Sequence, residues 1–172
     1  MDAIEASTTI YVPPADVYAF IEDFSGYTDY SEHLDRVQQY GDGGPGTDYK
    51  ITVSWWRFSY TSHTRVTDTD RPNRIDWRAA KDVRANGSWR IDAVEPPADR
   101  EVASELRLRI EFEPGSIRGI KLPPALSFEK LFEKIKPVVV RESEHVVAAM
   151  VEDLEGQRRE VDLEVHQGPS SV

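Results

Sequence analysis

Residues 105–113, ELRLRIEFE, alternate strictly between charged and apolar side chains, and this pattern restricts the fold more than any other in the chain. Successive side chains of a strand point to opposite faces of its sheet, so one face here is apolar and the other charged. The apolar set is Leu106, Leu108, Ile110 and Phe112. Such a strand belongs to an antiparallel sheet that is covered on one face only. The chain must therefore supply an element that covers the apolar face.

The middle of the chain, residues 49–112, has β character almost throughout. The segment RIDWRA at 74–79 alternates and is predicted to be a strand with Trp77 on its apolar face. The sequence ANG at 85–87 is typical of a hairpin turn, after which Trp89 falls on an apolar face. About six antiparallel strands are expected. The adjacent Trp55 and Trp56 cannot share a face without a bulge, and the sequence leaves open which one points inward.

Residues 127–155 are predicted to form the covering element, one long C-terminal helix. Apolar side chains keep roughly helical spacing over about seven turns. They are Phe128, Leu131, Phe132, Ile135, Val138, Val139, Val146, Met150 and Leu154. Pro137 lacks a backbone N–H, so a kink is expected in the first third of this helix.

The N-terminal part is predicted to contain one strand and two short helices. Residues 4–12 are rich in β-branched side chains, which favours a strand. Pro14 suits the first position of a helix, and Asp16 suits its first turn. A second short helix is expected over residues 27–37. The glycine-rich sequence at 41–46 then predicts a turn.

The length of 172 residues predicts a single domain, here residues 1–158. The remaining tail, 159–172, alternates briefly at Val161, Leu163 and Val165 and then becomes small and polar. It is interpreted as either an extra edge strand or a frayed end, with the frayed end favoured. The sequence is compatible with a monomer or a homodimer.

The charge balance argues against nucleic acid as a partner. The chain has 21 basic and 31 acidic residues and a formal net charge of −10. A negative field of this size repels phosphate backbones. The acidic residues are dispersed and lysines are few, a composition that suits a protein adapted to high salt as well as an ordinary acidic protein.

The composition also bears on location, cofactors and metals. There are no cysteines, which is compatible with a reducing cytoplasm. No basic and apolar leader follows Met1 and no apolar run reaches membrane-spanning length, so a cytoplasmic protein without stable membrane insertion is expected. The four histidines form no metal-binding spacing, and the turn at 41–46 lacks the Lys-Ser/Thr of a phosphate loop. No metal and no cofactor are expected.

Four motifs and the terminal helix follow one another in a recognisable order: VPPADVYAFIEDFSGYTDY (12–30), RPNRIDWR (71–78), NGSWRI (86–91) and LRLRIEFEP (106–114). With the order of elements, they resemble the helix-grip fold of the START-like (SRPBCC) superfamily. The chain looks most like the polyketide cyclase/dehydrase branch, near the coenzyme-Q-binding proteins. The resemblance implies an α+β domain in which a curved antiparallel sheet of six to seven strands wraps around the long helix.

The resemblance also implies a cavity between the sheet and the helix that holds an apolar ligand. Aromatic walls suit flat or polyisoprenoid ligands, because rings offer a large apolar area with little entropy to lose. Two tyrosines after the first helix, Tyr27 and Tyr30, are expected at the rim. The other residues expected to contact ligand are Tyr60, Trp77, Trp89, Leu108, Ile110, Phe112, Phe128, Phe132, Val139 and Met150. Each of these could instead simply fill the core.

Three functions remain open from the sequence. The first is binding of a hydrophobic or aromatic small molecule, such as a quinone, an isoprenoid lipid or a polyketide-like compound. The second is a cyclase/dehydrase-type enzyme, with Tyr30, Tyr60 or Arg141 as weak candidates for proton transfer. The third is a partner-binding module with a filled core.

Two pairs of polar residues have weaker claims to a functional role. His63 and Arg65 are expected on the charged face of their strand, where Arg65 could pair with Asp76. On the long helix, Arg141 and His145 lie one turn apart, where they could hold the polar head of a ligand. The acidic residues beside them, Glu142 and Glu144, suit a solvated, charge-paired surface instead.

Overall fold

Eight strands and two helices lie within the residues described by the structure, a computed structural model: 2–23, 32–55, 58–81, 83–113, 128–157, 159, 161 and 163–169. In chain order they are β1 (Asp2–Ile10), α1 (Pro14–Glu22), β2 (Leu34–Tyr40), β3 (Asp48–Trp55), β4 (Phe58–Asp70), β5 (Arg74–Ala79), β6 (Ala85–Val94), β7 (Ala103–Phe112), α2 (Phe128–Glu155) and β8 (Glu164–Pro169).

The strands form one antiparallel sheet in the order β2-β3-β4-β5-β6-β7-β1-β8. Strands β2 to β7 follow one another as a meander, and β1 closes onto β7. The long helix follows the last strand of this meander. The architecture confirms the α+β helix-grip fold, with eight strands in the described part of the chain where six to seven were expected.

The alternation in β7 has the structural result that it predicts. Leu106 and Phe112 are buried, whereas Arg107 and Arg109 are exposed. Both guanidinium groups approach the carboxylate of Glu5 on the neighbouring β1, at 3.1 Å and 3.2 Å. We call this charged side of the sheet the outer face and the opposite, apolar side the core face.

Helix α1 begins as its sequence predicts. Pro14 occupies the first turn and Asp16 lies beside it. The buried side chains of this helix are Val17, Tyr18 and Ile21, so its apolar stripe faces the sheet. The helix contacts β6, β7 and α2, which places it over one end of the core face.

The long C-terminal helix is confirmed as Phe128–Glu155, with Pro137 inside it. Its last turns are fixed to β1 by an anchor made of Tyr11, Glu155 and Arg159. The Glu155 carboxylate accepts a 3.0 Å hydrogen bond from the backbone N–H of Tyr11 and two 2.8 Å bonds from Arg159. Arg159 also donates to the backbone oxygen of Thr9 at 2.9 Å. In the described ranges no helix has both the length and the apolarity needed to cross a membrane.

The prediction of a second short helix over residues 27–37 is wrong for the C-terminal part of that segment. Residues from Leu34 onward form β2, which pairs along β3. Residues 24–31 lie outside the described part of the chain. Whatever the local preference of this segment, the backbone hydrogen bonds offered by β3 decide its conformation.

The prediction of a hairpin turn at residues 85–87 is also wrong. These residues belong to β6, where Asn86 pairs with Arg78 and Gly87 pairs with Trp77. The connection between β5 and β6 comes before them, at residues 80–84. Gly87 therefore lies inside a strand, and the absence of a side chain at this position makes room for Trp77 on the neighbouring strand.

The interpretation of the tail as a frayed end is wrong for residues 164–169. These residues form β8, whose backbone pairs with β1 from Asp2↔Pro169 to Ser7↔Glu164. The alternative that the sequence left open, an extra edge strand, is the one that the structure shows. The division of the chain at residue 158 stays a prediction.

Candidate functional site

The register of the strands arranges the core face in rows that cross the sheet. One row runs through Val66, Trp77, Gly87, Ile110 and Ile4, each directly opposite the next on a neighbouring strand. The row nearer to α1 runs through Ile75, Trp89, Leu108 and Ala6 in the same way. Residues far apart in sequence thus form one continuous surface.

One part of the core face is fully packed, and we call it the packed region. It holds the sheet residues Ile10, Ile75, Ile91 and Leu106, each at most 5% exposed. Helix α1 and the last turns of α2 cover it. The helix side chains that contribute to this cluster are Val17, Tyr18, Ile21, Met150 and Val151. Burial of this set is the main source of stability in the described chain.

Another part of the core face is only half-buried, and we call it the half-buried region. Its members are Tyr60, Ser62, Thr64, Trp77, Leu108 and Ile110. Within the described residues, none of them belongs to the core cluster that α1 and α2 build. An apolar surface that faces inward and keeps access to solvent can line a cavity.

Trp77 is the largest side chain of the half-buried region, and Gly87 determines where its ring can lie. A β-carbon built onto Gly87 would lie within 2.6 Å of two atoms of the Trp77 indole. It would also lie 2.8 Å from the backbone oxygen of Arg109. Since any other residue would exclude the ring from this position, the indole lies across β6 because residue 87 is glycine.

Strand β4 adds polar groups to the same region. Tyr60, Ser62 and Thr64 alternate along it and share the core face with Val66. In the part of the chain described by the structure, the hydroxyls of Ser62 and Thr64 have no hydrogen-bond partner. Sequence reasoning missed both residues, although their alternation with the buried Val66 is visible in the sequence.

The structure brings three predicted ligand contacts together and places others elsewhere. Trp77, Leu108 and Ile110 lie on adjacent strands in the half-buried region. Met150 belongs to the core cluster, Trp89 packs against it, and Phe112 is 9% exposed at the end of β7. The predicted contacts Tyr27 and Tyr30 lie outside the described residues, as do the side chains of Phe128, Phe132 and Val139.

The weak catalytic candidates differ in position. Tyr60 is half-buried on the core face, and Arg141 is exposed on α2 near Glu144 and His145, which are exposed as well. Arg141 therefore lies on the type of solvated, charged helix surface that the sequence also allowed. The side chains of Trp55 and Trp56 lie outside the described part.

His63 and Arg65 lie on the outer face, as expected from their alternation with Val66. The expected pairing of Arg65 with Asp76 is wrong, because Asp48 stands directly opposite on β3 and accepts hydrogen bonds from Nε and Nη2 of Arg65 at 2.7 Å and 3.0 Å. These hydrogen bonds hold the pKa of Asp48 below its usual value. Asp76 is bound by Arg74 instead.

Two buried tyrosines beside α1 are structural. Burial raises the pKa of Tyr49 to about 12, and the charges of Glu22 and Asp23 act in the same direction. Its hydroxyl donates to the backbone oxygen of Glu22 at 3.3 Å. The pKa of Tyr18 is raised by burial as well, and the Arg71 guanidinium lies 4.8 Å from the centre of its ring. Neither phenol ionises near neutral pH.

A separate groove of about 580 Å³ lies beyond the end of β8, away from the half-buried region. Tyr11 and Arg159 of the α2 anchor line it together with Ser7, Thr9 and Glu105. Its walls mix carboxylates, hydroxyls and prolines, and none of its lining residues in the described ranges belongs to α2. This groove has a different character from an apolar ligand cavity.

The sequence matches the family described as polyketide cyclase / dehydrase and lipid transport over residues 1–155. The chain belongs to this family. The match covers every element from β1 to α2, so the half-buried region of this polyketide cyclase/dehydrase family member lies within the shared domain. No curated protein matches the sequence.

Solved structures share the fold of this family member. The Zhui aromatase/cyclase from Streptomyces sp. R1128 is 21% identical, with a TM-score of 0.65 over 90% of this chain and 94% of that chain. The protein TTHA0849 from Thermus thermophilus is 17% identical, with a TM-score of 0.64 over 90% and 97%. A START superfamily protein from Mycobacterium smegmatis is 15% identical, with a TM-score of 0.62 over 90% and 99%. At these identities the likeness shows the fold alone.

Proposed function

We propose that this protein binds a hydrophobic or aromatic small molecule between the core face of the sheet and α2. The observation that carries the proposal is the half-buried region, an inward-facing apolar surface that does not belong to the core cluster. Membership of a family described by cyclase, dehydrase and lipid transport functions supports it. In this proposal Trp77, Leu108 and Ile110 contact the ligand.

The other proposed contacts complete the cavity. Tyr60 borders it from β4, and Trp89 and Met150 form its boundary with the packed region. Phe112 closes one end of the sheet side. The contacts proposed from outside the described side chains are Tyr27, Tyr30, Phe128, Phe132 and Val139.

Native mass spectrometry of the protein from its own host, purified in high salt, tests the proposal. We expect a stoichiometric apolar or aromatic companion that solvent extraction releases. Trp77→Ala should lose the companion and keep the circular dichroism spectrum of the folded protein. As a control, Val94→Ala, at a side chain that is 37% exposed, should keep it.

A protein that arrives empty would contradict the binding proposal if its melting temperature also stays constant in quinones, isoprenoid lipids and aromatic polyketides. The partner-binding module with a filled core would then be the better interpretation. Homodimer formation, a cytoplasmic location and the exclusion of nucleic acid stay predictions.

The second candidate function is a cyclase/dehydrase-type enzyme. Tyr60 favours it, because this phenol lies on the core face beside the apolar surface. Holding a flexible substrate in a reactive shape lowers the barrier to cyclisation, and one hydroxyl suffices to transfer a proton. Turnover of a polyketide analogue that Tyr60→Phe abolishes would establish the enzyme. If the wild-type protein and Tyr60→Phe bind the analogue equally and neither converts it, the carrier function is the better interpretation.

A further inference from the structure

Strand β2 forms one end of the sheet, and one of its two edges has no neighbouring strand in the described part of the chain. On its other edge, β2 pairs with β3. An unpaired edge offers free backbone donors and acceptors to another strand, and many proteins block such edges with proline, lysine or a bulge. Whether this edge can accept another strand depends on which of these features β2 has.

Only the first end of β2 is blocked. A bulge between Leu34 and Arg36 interrupts the regular pairing at the start of the strand. Residues 36–40, RVQQY, then pair regularly with β3 and contain no proline, glycine or lysine. The strand at the opposite end of the sheet, β8, ends in Gly168 and Pro169, and proline cannot donate a backbone hydrogen bond. The edge that stays open to pairing is therefore that of residues 36–40.

The alternation of backbone hydrogen bonds identifies the free groups on this edge. Ser54 of β3 donates a 2.8 Å hydrogen bond to the backbone oxygen of His33, so residues of β3 at even positions direct their backbone groups toward β2. The β2 residues that bond back to β3 are Arg36, Gln38 and Tyr40. The N–H and C=O groups of Val37 and Gln39 point outward, and within the described ranges they have no partner.

This edge is complementary to a second copy of itself. If two β2 strands pair antiparallel about a two-fold axis at Gln38, the free groups of Val37 meet those of Gln39 of the partner subunit. The same pair recurs on the other side of the axis. Arg36 then lies directly opposite Tyr40 of the partner subunit. An axis elsewhere in this segment would bring the bulge or the glycine-rich turn at 41–46 into the contact, and fewer regular hydrogen bonds would form.

The side chains at the two ends of this segment suit the contact. Arg36 is exposed, and in the described residues it has no ion pair or hydrogen bond through its side chain. Tyr40 is 51% exposed. Lys50 of the same chain lies 5.6 Å from the centre of the Tyr40 ring, and a guanidinium can pack against the opposite face. The dimer thus gives Arg36 an aromatic partner and covers an exposed ring.

We propose that the protein forms a two-fold symmetric homodimer in which the two β2 strands join the sheets edge to edge. The inference does not rest on the proposed ligand binding, because β2 lies two strands away from β4, where the half-buried region begins. The contact is small, so the dissociation constant should be on the order of 10 μM. Salt should favour the dimer, since both copies have a net charge of −10.

Sedimentation velocity of the full chain in high salt tests the proposal. Tyr40→Lys places a positive charge opposite Arg36 of the partner subunit, so we expect the dissociation constant to rise at least about tenfold. Val94→Lys on β6 is the matched control, because it adds the same charge at another exposed apolar position. It should leave the dimer unchanged.

A second substitution tests the register. In the double variant Tyr40→Lys, Arg36→Glu, opposite charges meet again across the axis, and the affinity should recover to within about threefold of wild type. Within one copy the two positions are about 13 Å apart along the strand. Recovery therefore requires that they meet between copies, and a variant that had merely lost its fold would not recover.

Three results would overturn the inference. One is a wild-type chain that sediments as a monomer up to about 1 mM. Another is a dimer that Tyr40→Lys and Val94→Lys weaken equally. The third is an assembly that grows beyond two copies, which would show β2 pairing with β8 of the next copy. The monomeric Tyr40→Lys should still carry the apolar companion in native mass spectrometry, so loss of the dimer and failure of the proposed function are distinguishable.

Discussion

At the scale of single residues, Ser104 shows how a buried hydroxyl stabilises the packed region. Its side chain is fully buried and donates a 2.7 Å hydrogen bond to the backbone oxygen of Val12. The bond joins β7 to the segment that links β1 and α1. Because the serine hydroxyl is fully buried, it depends on this carbonyl for its hydrogen bond.

We expect Ser104→Ala to lower the free energy of unfolding by about 1–2 kcal/mol, because it leaves the oxygen of Val12 without its donor. Urea denaturation at neutral pH measures the change. Ser59→Ala, at an exposed position of β4, is the control and should stay within about 0.5 kcal/mol of wild type. Equal effects in the two variants would show that the buried bond contributes nothing.

Gly87 shows why the candidate site could be predicted only in part from the sequence. The alternation of β7 and β5 correctly placed Trp77, Leu108 and Ile110 on one face. Gly87 was interpreted as a turn residue because its local sequence resembles one. Its role depends on a ring from another strand, and no local pattern contains that information.

At the scale of elements, the anchor of α2 is a buried charged group with all of its oxygens bound. The Glu155 side chain is 3% exposed. Burial raises its pKa, but the hydrogen bonds from Arg159 and from the Tyr11 N–H, with the positive charges of Arg159 and Arg100, outweigh burial and lower it overall. The folded state therefore favours the ionised form.

A lowered pKa in the folded state gives a stabilisation that is present above the ordinary value of 4.5 and lost as the pH falls through the folded value. We expect Glu155→Gln to lower the free energy of unfolding by about 2 kcal/mol at neutral pH. The difference from wild type should shrink at a second, acidic pH below the folded pKa, where Glu155 becomes protonated as well. Urea denaturation at the two pH values measures both.

The control for this variant is Glu111→Gln. Glu111 binds Arg109 on the outer face, where water competes for the pair, so the change should be within about 0.5 kcal/mol at either pH. A Glu155→Gln difference that is the same at both pH values would contradict the argument that the charge matters.

Helices and strands could be predicted from the sequence where the periodic pattern extends over many residues. The 28 residues of α2 and the ten residues of β7 have patterns that only one structure satisfies. The seven residues of β2 and the six of β8 are too short for that, and each becomes a strand by pairing with a neighbour. Backbone hydrogen bonds to a neighbouring strand leave no trace in the sequence of the strand itself.

At the scale of the whole molecule, the net charge of −10 acts on a surface that already contains many ion pairs. On the outer face, Glu5 binds Arg107 and Arg109, and Asp48 binds Arg65. Exposed pairs of this kind contribute little and weaken in salt. The unpaired excess of carboxylates repels itself, and salt screens that repulsion.

We expect the melting temperature to rise by about 5 °C between low salt and 1 M NaCl, since screening of the excess charge outweighs the weakened surface pairs. Differential scanning calorimetry measures it. The triple variant Glu95→Gln, Asp99→Asn, Glu101→Gln removes three exposed charges and should melt higher in low salt and respond less to NaCl. A melting temperature that falls with NaCl would contradict adaptation to high salt.

The division of the core face also bears on how such a protein can change over generations. The packed region carries most of the buried apolar surface, whereas the half-buried region contributes less to the core cluster. Under the proposed function, substitutions in the half-buried region change which ligand fits while the fold keeps its margin of stability. A lineage with this architecture can pass from one ligand to another through intermediates that all remain folded.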